Sequence, residues 1–190
     1  MNHIYDSLPE AVEVDGRLFS VNTDFRLGVK LACMSETGQP DTEDLLAFVY
    51  KDFYLDQAPQ DPSKALEACL DFYSRKGLEQ NNWQPKSLRA GTKSADTFSY
   101  DYDTDNLVAD FQREYGLDIT SGGDSIHWWR FVSLISGLSD SSIVKTIGGY
   151  RAYTPDKADS AEERKHRTRL KNAFRLPPKT KEEALRRAQE

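Results

Sequence analysis

Residues 126–138 constrain this chain more than any other stretch, because eight of these thirteen residues are large and apolar. Of the other five residues, all except Ser136 are spaced by three or four, which places these four on one narrow face of a helix. These positions are His127, Arg130, Ser133 and Gly137. A helix that is apolar on its other faces is buried within a fold. We therefore predict a buried central helix, capped at its start by Asp124 or Ser125 and too short to cross a bilayer.

The surrounding segments predict a mainly α-helical protein, with a multi-helix, bundle-like body, an N-terminal β-hairpin and a C-terminal charged helical tail. Asp15-Gly16 between alternating apolar residues is typical of a hairpin, here within residues 11–21. Apolar residues at helical spacing, with capping residues and glycine or proline stops, predict the helices. These cover about residues 24–36, 41–54, 62–76, 105–115, 126–138, 141–151, 156–174 and 180–189.

The polarity of the chain predicts two parts, a body at residues 1–154 and a basic helical tail at 155–190. Residues 156–190 hold eleven Lys or Arg against seven Asp or Glu, a net charge of +4, whereas the remaining residues carry −10. The acidic body disfavours nucleic-acid binding, and the basic tail suits an acidic partner or a neighbouring copy of the chain. Residues 78–97 are polar and aperiodic, which predicts a long surface loop or hinge.

Cysteine usage and the N-terminus favour an intracellular protein. Cys33 and Cys69 are far apart in sequence and have apolar neighbours, so we interpret both as buried free thiols. Residues 1–10 lack the cationic start and apolar run of a secretory signal. We expect no membrane association.

The acidic segment 101–105 and His127 are the candidates for chemistry. The segment resembles the start of a calcium loop, but Asn106 replaces the glycine at the sixth position and Gln112 replaces the bidentate glutamate at the twelfth. We interpret it as a solvated acidic turn that leads into a helix cap, and we interpret His127 as a structural or interface histidine. A small hydrolase or nuclease that uses Asp101, Asp103 and His127 is the alternative. No cofactor motif is present, and we expect none to bind.

Aromatic and basic residues are the candidates for partner contacts. Trp128 and Trp129 point in different directions on a helix, so one belongs to the core and the other is expected to reach a surface or an interface. The predicted interaction residues are Trp128, His127, Arg130, Arg164, Arg167, Arg169 and Phe174.

Three sequence blocks carry a family resemblance. They are DNLVADF at 105–111, YGLD at 115–118 and IHWWRF at 126–131, and residues 8–26 fit the same family's opening. Over about residues 8–151 the chain resembles the "gene product fifteen" family of long-tailed bacteriophages and prophages. The family has no established catalytic residues to carry over.

The resemblance implies a non-enzymatic role in virion morphogenesis, as a tail assembly chaperone. Such a factor would hold the tape-measure or tail-tube protein in the cytoplasm of the bacterial host before the tail polymerises. A structural virion component, such as a connector or tail subunit, is the second hypothesis. The two differ in whether the protein stays in finished particles.

Overall fold

The structure is a computed structural model, and it describes residues 6–36, 40–75, 97–178 and 181–189. It confirms a mainly helical protein with a short antiparallel hairpin at the N-terminal end. The hairpin strands are β1 (Ala11–Val14) and β2 (Arg17–Ser20). The helices are α1 (Phe25–Glu36), α2 (Thr42–Phe48), α3 (Pro62–Ser74), α4 (Thr104–Tyr115), α5 (Trp128–Gly137), α6 (Ile143–Ala152), α7 (Ala161–Ala173) and α8 (Lys181–Arg187).

The described chain divides into two compact units. The first contains residues 6–36, 40–75 and 125–136, and the second contains residues 97–124, 137–178 and 181–189. This division differs from the predicted boundary at residue 154, because α7 and α8 fall in the same unit as α4 and α6.

The hairpin of the first unit forms as its turn residues predict. Asp15 and Gly16 both have positive φ, at 51° and 75°, which is the backbone of a two-residue turn whose twist matches that of the flanking strands. The inner face of the hairpin, with Val14 and Phe19 buried, packs towards Tyr54 and α3. This packing supplies the support that an isolated hairpin lacks in water.

Aromatic side chains fill the core of the first unit. The rings of Phe25 and Phe131 stack at 4.3 Å between centroids. The indole N–H groups of Trp128 and Trp129 donate to the carbonyls of Tyr73 and Phe72, each at 2.9 Å. Those carbonyls lie in the last turn of α3, where carbonyls are short of partners within the helix; the Phe72 carbonyl also accepts the N–H of Arg75 at 3.2 Å. The two tryptophans therefore cap α3 and fill the core together.

Helix α5 begins two residues later than predicted, and its cap is different. Nδ1 of His127 accepts the backbone N–H of Trp129 at 3.1 Å, so His127 occupies the capping role expected of Asp124 or Ser125. The carboxylate of Asp124 instead accepts the N–H of Asp118 at 2.8 Å. Burial is concentrated in the first turn of α5, and Leu134 is only half-buried in the described structure.

Three further predictions need correction or lie beyond the described chain. The helix predicted over 41–54 is α2 followed by a π-helical turn at Val49–Phe53. Cys69 is buried, which raises the pKa of its thiol to about 12, but Cys33 is half-exposed. The predicted polar loop at 78–97 lies, apart from Thr97, outside the described residues.

Among the described helices, none has the length and apolarity of a membrane span.

Buried acids organise the second unit. Asp110 of α4 is fully buried, and its two oxygens accept the N–H groups of Ile143 and Val144, each at 2.9 Å. These are the first two residues of α6, so a carboxylate from one helix satisfies the free donors at the start of another. Ser142 completes the cap by accepting the N–H of Lys145.

Candidate interaction surface

The most exposed element of the second unit is α7, and local sequence explains why it is helical. Ser160 and Glu163 form a capping box, in which each side chain accepts the other residue's backbone N–H. Glu162 and Glu163 lie in the first turn and Lys171 in the last, so the charges complement the helix dipole. None of its residues is buried. Most of its side chains are therefore available for contacts outside the fold.

Two of the basic residues on α7 support the local fold. The guanidinium of Arg164 donates to the carbonyl of Asp159 at 2.9 Å. Arg167 lies over the ring of Tyr153 at 5.5 Å and 3.8 Å from the carboxylate of Asp159. Both side chains remain exposed, so their charge is still presented to solvent.

Two other cations on α7 have no partner in the described chain. Lys165 and Arg169 are four residues apart, on the same face of the helix, and both are exposed. No ion pair or hydrogen bond joins either side chain to a described residue. We call the surface formed by Lys165 and Arg169 the cationic face of α7; Arg164 and Arg167 are exposed on other sides of the same helix.

The C-terminal end of α7 is fixed to the second unit by Arg151. Nε of Arg151 donates to the carbonyl of Phe174 at 2.6 Å, and Nη1 donates to the carbonyl of Thr97 at 3.1 Å. The ring of Phe174 stacks on Tyr150 at 5.4 Å, and the next apolar residue, Leu176, is buried. Phe174 itself is 36% exposed. The predicted tail therefore combines an exposed helix with a buried anchor.

The interpretation of residues 101–105 as a solvated acidic turn is wrong for Asp103. Its carboxylate is 2% exposed and forms a bidentate ion pair with Arg151, at 2.5 Å and 2.8 Å. It also accepts the N–H of Ser99 at 3.0 Å. Asp103 therefore uses its oxygens within the fold. In the described part of the chain, no group of three or more His, Cys, Asp or Glu side chains is placed to hold a metal ion.

The predicted interaction residues of the first unit have different surroundings. Trp128 and Trp129 are both buried, so the expectation that one of them reaches the surface is wrong. His127 is half-buried, and Nε2 donates to the carbonyl of Pro9 at 2.9 Å while Nδ1 accepts from Trp129. This arrangement assigns the proton to Nε2 and gives His127 a structural role. Arg130 is exposed.

Sequence reasoning missed the two buried acids, Asp103 and Asp110. Their partners, Arg151 and the start of α6, lie 48 and 33 residues away. A single sequence contains no local signal for such pairs. In α4, Asp110 lies on the face that Leu107 and Phe111 bury, and this position was the only available indication.

The fold and this surface define a mainly helical protein with an N-terminal hairpin and an exposed cationic helix. The family model described as "Bacteriophage Gp15 protein" matches residues 4–176. The chain therefore belongs to the bacteriophage Gp15 protein family, which makes it a phage structural or morphogenesis protein. No curated protein and no solved structure matches it.

Proposed function

We propose that this protein is a tail assembly chaperone, a non-catalytic factor that binds the tape-measure or tail-tube protein before the tail polymerises. The observation that carries the proposal is the cationic face of α7. A helix that buries no residue adds little to the core, yet it is firmly capped at its start and anchored at its end. Such a helix is suited to present charges to a partner.

The charge of this face favours an acidic client segment. Lys165 and Arg169 form no ion pair with a described residue, and Arg164 and Arg167 are also exposed on α7. Exposed charges of one sign accelerate association with an oppositely charged surface and make that association sensitive to salt. A neighbouring copy of the acidic remainder of the chain is the competing partner, and it would give a salt-sensitive oligomer.

The positions of Asp103 and His127, two of the three candidate catalytic residues, support a binding role. Asp103 is saturated by Arg151 and Ser99, and His127 uses both ring nitrogens in hydrogen bonds to the backbone of its own unit. A general base or nucleophile needs a free side-chain atom directed at a substrate. We therefore propose binding without catalysis, in the cytoplasm of the bacterial host.

Co-purification tests the chaperone proposal. The protein is co-expressed with the tagged tape-measure or tail-tube protein of the same phage, and the fraction retained is measured at about 0.05 M and 0.5 M salt, on either side of the range where screening of exposed charges becomes strong. Lys165→Glu and Arg169→Glu should each reduce retention. Lys51→Glu, an equally exposed lysine of the first unit, is the matched control and should not. Equal retention of all variants would contradict a role for α7.

Mass spectrometry of purified virions beside an infected-cell lysate separates the two morphogenesis roles. A chaperone should be abundant in the lysate and absent from finished particles. A fixed copy number in the virions would instead identify a structural component and overturn the chaperone proposal.

A further inference from the structure

A second surface lies in the first unit, along the outer edge of the hairpin. Strand β1 pairs with β2 in the register Val12 with Phe19 and Val14 with Arg17. A groove of about 560 Å³ runs beside β1, between this strand and α3. This volume lies within the range of about 300–1,000 Å³ that binding clefts occupy.

The hydrogen-bond pattern of β1 leaves one edge of the strand unpaired. A two-residue turn makes Val14 and Arg17 a hydrogen-bonded pair, and in an antiparallel ladder such pairs alternate with pairs that are not bonded. Val12 and Val14 therefore bond to β2, whereas the N–H and C=O groups of Ala11 and Glu13 point outwards. No described residue bonds to these outward groups.

The opposite edge of the hairpin is occupied at its Ser20 end, whereas the outward backbone groups of Leu18 bond to no described residue. The N–H of Leu55 donates to the carbonyl of Ser20 at 3.2 Å, and Val21 forms a bridge with Tyr54. The free edge of β1 thus differs from the edge of β2 within the same small sheet. An unpaired edge with outward N–H and C=O groups is a template for another strand.

The floor and rim of the groove differ in polarity. Val12, Ala68 and Phe72 supply apolar atoms to it. The ionisable residues that line it are four carboxylates and one ammonium, a net charge of −3: Glu13, Asp15, Glu67, Asp71 and Lys64. Lys64 is neutralised by Asp15 at 2.7 Å. Glu13 on the strand and Glu67 on the helix are exposed and form no ion pair with a described residue.

We propose that this groove binds an extended segment of a partner protein, in which cationic and apolar residues alternate. The segment would pair with the outward N–H and C=O groups of Ala11 and Glu13 as an added strand. Side chains of a strand alternate between faces, so one set would pack on Val12 and Ala68 while the other set meets the carboxylate of Glu13.

Charge also argues against a second copy of this chain as the occupant. Two β1 strands paired edge to edge would bring two copies of the acidic rim together, and like charges directly opposite in a sheet are destabilising. The inference deepens the proposed function, because it names the kind of client segment that the first unit would hold, and its partner chemistry is opposite to that of α7.

A labelled heptapeptide of alternating lysine and valine is the probe, and fluorescence anisotropy with the full-length protein is the measurement. Saturable binding is expected, and Glu13→Lys together with Glu67→Lys should weaken it by about tenfold or more. The matched control is the double variant Asp56→Lys and Asp101→Lys, which changes two exposed acids outside the groove. A peptide with glutamate in place of lysine should not bind.

Two changes test the strand pairing itself. A probe with N-methyl groups on the amides of one edge keeps every side chain but removes the donors, and it should lose binding. Ala11→Pro removes an outward N–H and is compatible with an edge strand. It should weaken binding while far-UV circular dichroism and the thermal midpoint of the protein stay close to those of the parent.

The results distinguish this inference from the chaperone proposal. Equal binding of the lysine and glutamate peptides, or full binding of the N-methylated peptide, would overturn the groove. Light scattering that shows a dimer abolished by Ala11→Pro would identify a second copy as the occupant and also overturn it. Co-purification of a tail protein that survives the groove variants would leave the chaperone proposal intact. Peptide binding without any co-purification would support the groove alone.

Discussion

Gly28 lies directly beneath the indole ring of Trp128. A Cβ atom added at this position would overlap the ring, because the backbone of α1 and the side chain of Trp128 are in close contact. Both residues are buried in the first unit. The absence of a side chain at Gly28 therefore allows α1 and the first turn of α5 to pack together.

The two helical glycines Gly28 and Gly149 give a matched pair of substitutions. Gly28→Ala should destabilise the protein by roughly 1–3 kcal/mol, because overpacking exceeds the gain in helix propensity. Gly149→Ala should stabilise it by roughly 0.5–1 kcal/mol, because Gly149 is exposed in α6 and has no atom near its Cβ position. Urea unfolding followed by circular dichroism measures both. Changes of the same sign would contradict the packing described for Trp128.

At the scale of elements, helix ends are satisfied both by side chains from distant parts of the chain and by neighbouring residues. Trp128 and Trp129 cap α3, His127 caps α5, and Asp110 caps α6. Among the described helices, α2, α3 and α7 have N-terminal caps formed by neighbouring residues, namely Asp41, Asp61 and the box of Ser160 and Glu163. The carbonyls at the end of α3 and the first N–H groups of α6 thus gain these distant partners only when the chain folds.

Asp110 should be the most sensitive of these caps. Asp110→Ala should cost roughly 3–5 kcal/mol, because it leaves two backbone N–H groups and the partly exposed Arg113 without their common carboxylate. Asp105→Ala, at an exposed position in the first turn of the same helix, should cost no more than about 1 kcal/mol. The free energy of unfolding from denaturant titrations distinguishes the two. Similar losses for both would mean that the cap across α4 and α6 is unimportant.

Glu114 links stability to pH at the turn between α5 and α6. Its carboxylate accepts the backbone N–H and the hydroxyl of Ser139, each at 2.8 Å, and these hydrogen bonds hold the pKa of Glu114 below its usual value. A depressed pKa stabilises the fold above the unfolded pKa, and this contribution is lost as pH falls through the folded pKa. In the Glu114→Gln variant, stability should therefore fall less steeply than in the parent as the pH is lowered below the usual glutamate pKa. Thermal melts at a series of pH values, with Glu162→Gln as an exposed control, measure the difference.

Local signals in the sequence predicted most of the secondary structure. Asp15-Gly16 fixed the hairpin turn, Asp61-Pro62 the start of α3 and Gly116 the end of α4, because each requires only the backbone preferences of one or two residues. The start of α5 was not predictable in the same way. Its cap depends on a bridge between His127 and Asp24, which are about a hundred residues apart.

The candidate surfaces were predictable to different degrees. Charge along the chain indicated the exposed basic tail that contains α7, since charged side chains stay at the surface. The groove beside β1 requires the packing of α3 against the hairpin, and nothing in the sequence specifies that contact. The burial of Asp103 was not predicted, because its partner Arg151 lies 48 residues further along the chain, in a different helix.

At the scale of the whole molecule, charge and anchoring are separated within the C-terminal segment. Residues 156–190 carry +4 and the remainder of the chain −10. The basic residues of α7 stay exposed, while Phe174 and Leu176 make the apolar contacts with the second unit. In this segment, one set of residues therefore contributes to binding and another to folding. Substitutions can change one contribution without the other.

Leu176→Ala and the charge-reversal variants of α7 test this separation in the full-length chain. Leu176→Ala should destabilise the protein by roughly 2–5 kcal/mol, because it removes a buried leucine. Lys165→Glu and Arg169→Glu should change stability by no more than about 0.5 kcal/mol, since both side chains are exposed.

Truncation after Thr154 should lower the stability of the protein as Leu176→Ala does, because Arg151 also loses the carbonyl of Phe174. Hydrogen exchange of α1 and α3 in the truncated protein should stay unchanged. A truncated chain as stable as the parent would show that Leu176 and Arg151 do not anchor this segment.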